Sequence, residues 1–123
     1  MMLSRAANAY RRVDLESAPK THVLERLFDR FEQDLVAARA AIAAGSIQER
    51  ANCLDHAHRI VAELSASLDH AAAPELCANL SALYDFVASC LSQANLQMAP
   101  APLDRASKIM RELADAFRQA HAR

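Results

Sequence analysis

Apolar residues recur at three- and four-residue spacing through most of the chain, and the breaks in that rhythm divide it into four segments. The first carries Val23, Leu24, Leu27, Phe28, Phe31, Leu35, Ala38 and Ile42, with Glu25, Arg26, Arg30, Glu32 and Arg39 between them. This is the pattern of a helix with one buried stripe. Pro19 suits the first helical position, because its ring presets φ and has no amide hydrogen to lose, and it disfavours helix at Ala18. Gly45, the chain's only glycine, follows Ala43-Ala44 where a left-handed C-cap is wanted. Directly after it, Ser46 and Glu49 have the spacing of a capping box, in which each side chain satisfies an orphan amide of the next helix.

The second stripe runs through Ile47, Ala51, Leu54, Ala57, Ile60, Val61, Leu64 and Leu68 and ends near Asp69-His70. Pro74 and Glu75 start a third, with a carboxylate at the positive end of the helix dipole. It continues through Leu76, Leu80, Leu83, Tyr84, Val87, Leu91 and Ala94 and closes between Asn95 and Met98. Ala99-Pro100-Ala101-Pro102 cannot stay helical throughout, so Leu103, Ala106, Ile109, Met110, Leu113 and Phe117 form a fourth stripe. Helices joined by links this short must fold back on one another. The pattern therefore predicts an all-α, up-down antiparallel four-helix bundle over residues 19–123, preceded by a short amino-terminal arm or helical turn over residues 1–18.

At 123 residues the chain matches one domain, since two cores would each bury too little apolar surface. Fourteen basic residues against fifteen acidic ones leave a net charge of −1, which supplies no general attraction to nucleic acid. No apolar run approaches the roughly 20 residues that span a bilayer, so membrane insertion is not expected. Three cysteines without paired spacing, and no secretory leader, point to reduced thiols and a cytoplasmic setting.

Little in the chain suggests catalysis. Cys53, Asp55, His56 and His58 crowd into six residues, but a structural zinc site needs four converging ligands, and Cys77 and Cys90 sit too far apart on the next helix to complete one. Metal and cofactor are not expected, and the cysteines read as small core residues. A helical bundle with a histidine also invites comparison with histidine phosphotransfer domains, the alternative function for this chain. Those domains place a lysine and a glycine shortly after the histidine, where Val61 and Ala62 follow His58 here. There is no glycine-rich phosphate loop and no nucleophile elbow.

One set of motifs, in order, resembles a known family. Asn8-Ala9-Tyr10 is followed by Ser17-Ala18-Pro19, then Leu27-Phe28-Asp29, then Ala40-Ala41-Ile42 with Gly45. Ala57-His58-Arg59-Ile60-Val61-Ala62-Glu63-Leu64 leads to Leu68-Asp69, and Asn79-Leu80-Ser81-Ala82-Leu83-Tyr84-Asp85 and Leu91-Ser92-Gln93-Ala94-Asn95 complete the series. Joint order and spacing, more than any one string, make the chain similar to the FliS family, the flagellar export chaperones of flagellin. Arg30 replaces a frequent glycine, Ala18 a serine and Phe117 a late tryptophan.

The resemblance implies a non-enzymatic cytoplasmic chaperone that binds the disordered carboxy-terminal segment of flagellin, blocks premature polymerisation and escorts it to a component of the export gate. It implies an arm bearing Tyr10 that guards the binding groove and helps docking at the gate. Leu27, Phe28, Leu80, Leu83, Tyr84 and Asn95 match family motif positions and are the expected partner-binding residues, as groove lining or its support. Leu27, Leu80 and Leu83 fit the bundle core equally well. Whether the chain forms a homodimer is left open.

Overall fold

The computed structural model describes residues 18–121, with side chains from residue 21 onward. Four helices follow in order: α1 (Ala18–Ala44), α2 (Ile47–Ala66), α3 (Pro74–Gln97) and α4 (Ala101–His121). Each packs on its two neighbours around a ring, and the diagonal pairs do not approach at the backbone. Side-chain bridges give the register. Arg118 Nε of α4 donates to Glu25 Oε1 of α1 at 2.8 Å, Ser107 Oγ to Glu32 Oε1 at 2.8 Å, and Arg39 meets Asp104. As numbers rise along α1 their partners on α4 fall, so the two helices run antiparallel. Arg50 to Asn95 and His58 to Ser92 show the same reversal between α2 and α3.

The periodic apolar positions form one continuous core. Phe31, Leu35, Leu54, Leu64, Tyr84, Val87, Leu91, Leu103, Met110, Leu113 and Phe117 are all essentially sealed from solvent. The Phe28 and Phe117 rings meet at 5.6 Å between centroids, tilted by 44°, within the range that favours aromatic pairs. Phe117 is the largest α4 side chain in the core.

Helix ends differ from expectation in three places, and α2 stops at Ala66, short of the expected Asp69-His70. Ala18 is already helical, one residue ahead of the expected start at Pro19. The bias against helix before proline is a preference, and a first-turn residue, with no intrahelical amide bond to lose, can override it. Ser46 stands at the N-cap position of α2 without a side-chain capping bond, and neither half of the expected capping box forms. The Ser46 amide is already committed: it donates to the Ala41 carbonyl at 2.9 Å, while Gly45 donates to Ile42 at 3.1 Å. That pair of bonds is the Schellman closure of α1. Glu49, left without the amide it would have accepted, lies 3.8 Å from Cys53 Sγ instead. Closing α1 and opening α2 within two residues makes one amide serve the first helix at the expense of the second.

Gly45 adopts φ of +70°, and a Cβ there would meet nothing within 4 Å. Substitution therefore costs backbone strain alone. Gly45→Ala is expected to lower unfolding free energy by about 1 kcal/mol in a urea titration followed by circular dichroism, with helicity unchanged.

Candidate functional site

The outer surface of the bundle is not the same all round. Between α1 and α4 it is charged. A concavity of about 270 Å³ there is lined by Asp29, Glu32, Arg111, Asp115 and Arg118 beside Phe28, Met110 and Ala114. A second, of about 440 Å³, has Arg39, Asp104, Ser107, Lys108, Arg111, Glu112 and Asp115 around it. These side chains are largely taken up with one another: Arg118 reaches Glu25, Asp29 and Asp115, and Arg111 reaches Glu32 at 3.3 Å.

Between α2 and α3 lies an open groove of about 490 Å³ with a different lining. From α2 it takes His58, Val61, Ala62, Ser65 and Ala66, spaced at three and four residues along one helical face. Tyr84, Asp85 and Ala88 of α3 form the opposite side. Val61 and Tyr84 are buried and make the floor, whereas Ala62, Ala66 and Asp85 are exposed on the walls. Because four of the eight lining residues are alanine or serine, the two helices present their backbones close to the surface. A shallow trough of this kind admits another helix along its length, and Asp85 adds one fixed negative charge.

Polar contacts flank the trough. His58 Nε2 and Ser92 Oγ lie 3.4 Å apart across it. Half-burial lowers the His58 pKa from its ordinary value, and Asp55, which acts in the opposite direction, only partly offsets this. Farther along, Arg50 Nε donates to Asn95 Oδ1 at 2.8 Å and the same guanidinium touches Met98 Sδ. Met98 holds the left-handed position that ends α3.

Of the residues expected to bind a partner, Tyr84 is the one that lines this groove, and it does so as buried floor, 1% exposed. Asn95 lies beyond its far end, tied to Arg50. Leu80 is in the core, with Leu83 packed partly buried against it. Phe28 is core on α1 and Leu27 is half-buried on the same helix, so neither faces the α2–α3 groove. Tyr10 lies outside the described residues. The exposed small residues of the groove were not singled out beforehand. Their signal was the run Ala62, Ser65, Ala66 on the edge of the α2 stripe, continued by Ala88 on α3.

The cysteine and histidine cluster disperses in the structure. His56 Nδ1 pairs with Asp34 Oδ2 at 2.5 Å toward α1, His58 faces α3, and Cys53 turns to Glu49. Among the described residues no group of three or more such side chains converges as metal ligands would. No helix among them is long and apolar enough to cross a membrane.

Fold and groove together define a class of protein: a small helical bundle whose distinctive surface is an open, small-residue trough. The chain belongs to the FliS family, matching the family described as "Flagellar protein FliS" over residues 2–123. It is 31% identical to the flagellar secretion chaperone FliS of Salmonella typhimurium, an alignment covering 97% of this chain and 92% of that protein. The flagellar secretion chaperone FliS of Escherichia coli is 30% identical, with 97% and 91% covered, and that of Vibrio cholerae 30%, with 90% and 85% covered.

The burial of Leu80, at 2% exposed, predicts a stability role. Leu80→Ala is expected to cost about 2 to 5 kcal/mol in chemical denaturation, as deletion of a buried leucine does. A loss below about 1 kcal/mol would place the side chain outside the core.

Proposed function

We propose that this protein is a secretion chaperone whose α2–α3 groove binds the disordered carboxy-terminal segment of flagellin, keeps it from polymerising in the cytoplasm and hands it to the export gate. The observation that supports this most directly is the groove itself, in a chain belonging to a chaperone family. An amphipathic client segment that folds into a helix on contact can lay its apolar stripe along the small-residue walls, Ala62, Ala66 and Ala88, above the closed floor. Ordering that segment offsets roughly 2 to 5 kcal/mol of the interaction, which keeps the complex reversible enough for delivery.

The flagellin identity and the delivery step rest on the ordered motif resemblance, as does a role for Tyr10 in guarding the groove or meeting the gate. Catalysis has no part in the reading, since the work is done by covering a sticky segment. Phosphotransfer through His58 is disfavoured by its surroundings: Val61 beneath it is buried, and neighbouring Arg59 is held by Asp55 at 2.7 Å.

Calorimetric titration of the full chain with a peptide of the flagellin carboxy terminus tests the proposal, and absence of binding at tens of micromolar would remove it. Ala62 is exposed on the groove wall. A long charged side chain placed there blocks the trough without disturbing the core. Ala62→Arg is expected to weaken the peptide by at least about tenfold, or about 1.4 kcal/mol, with an unchanged helical spectrum and unfolding midpoint.

A further inference from the structure

An apolar trough does not require an imidazole, yet His58 lies in this one, and it is the lining residue whose charge changes near neutral pH. We propose that His58 is a proton-controlled latch on the α2–α3 groove: the neutral imidazole lets an apolar client helix seat, and the imidazolium holds it off. The inference rests on the client-binding reading of the same groove.

Its basis is geometric. His58 is one turn before Val61 and Ala62 on the face of α2 that forms the groove, so a helix lying over that face covers the ring. The imidazole is already half-buried, and Nε2 has Ser92 Oγ of α3 at 3.4 Å. A neutral ring covered by a client keeps this polar neighbour. A covered imidazolium would need a counter-charge to offset its lost hydration.

The surroundings offer little. On α2, Asp55 is one turn back, but its carboxylate is engaged by Arg59 at 2.7 Å. On α3, Ser92 is uncharged, and Asp85 stands two turns away from it, about 10 Å along the helix axis. The other helix packed on α2 is α1, where Asp34 pairs with His56 and Arg30 pairs with Asp34. Burial outweighs Asp55 in its effect on His58, so the pKa already lies below the ordinary 6.5 before any client arrives.

The sign follows from linkage. Client binding buries the ring further and lowers its pKa again, so the complex holds fewer protons than the free protein. Affinity is therefore complete above the free-state pKa and declines as pH falls through it.

The test is calorimetric titration of the full chain with the flagellin carboxy-terminal peptide at about pH 7.5 and about pH 5.5, comparing wild type with His58→Asn and His58→Gln. Both variants keep a polar group for Ser92 and carry no charge, and His56 is present in all three proteins. Wild type is expected to lose at least about twofold more affinity than either variant at the lower pH. Equal pH dependence in all three, or wild-type binding unchanged with pH, overturns the latch and leaves the groove reading standing. No wild-type binding at the higher pH overturns the groove reading and the latch together.

Discussion

Three of the four helix junctions in this bundle are imposed by links of only a few residues, so the contact that closes the molecule is the fourth, between α1 and α4. It joins residues separated by most of the chain, and the entropy of bringing them together must be offset by what they bury. Phe117 against Phe28, with Met110 and Leu113 sealed beneath, supplies the apolar part. Along the rim, Glu25, Glu32 and Arg39 on α1 meet Arg118, Ser107 with Arg111, and Asp104 on α4. These rim pairs are largely exposed and each adds at most about 1 kcal/mol. Their larger effect is on register, because a one-turn slip of α4 would set like charges opposite one another.

That closure also decides where a partner can bind. A seam laced by ion pairs offers an incoming apolar segment mostly charged groups held to one another, and displacing them costs more than it returns. The α2–α3 seam has no comparable lacing. Its walls are Ala62, Ser65, Ala66 and Ala88, set over a floor of Val61 and Tyr84 that is itself sealed by the bundle. The bundle therefore has a polar closing face and an adhesive one, on different sides of the same core.

The four apolar stripes were legible because helix periodicity is a local property, written within each segment. Gly45 was legible for the same reason. The failed capping box at Ser46 was not, since it depends on which of two adjacent helices claims one amide, and spacing alone cannot rank the Ala41 carbonyl against Glu49. The groove was harder still. Ala62, Ser65 and Ala66 look like filler at the edge of a stripe, and they become walls only when α3 is placed alongside at the register marked by His58 and Ser92. The family motifs run through the groove at His58, Val61, Ala62, Tyr84 and Asp85, while the large motif residues Phe28, Leu80 and Tyr84 are buried in the bundle beneath it.

Small residues make the trough adhesive without making it strong. A deep pocket with a bulky anchor concentrates binding energy in a few contacts, whereas alanine walls spread it over several turns of a client helix. Affinity then scales with how much of the client is helical and apolar at once, and many related sequences satisfy that condition. A segment that must first order itself pays part of the gain on arrival and recovers it on release. Under the proposed function, such a surface can hold a chain that would otherwise assemble and still release it where another site fits better. On the latch reading, covering the groove favours the neutral form of His58, so occupancy of the trough and protonation of the imidazole oppose one another.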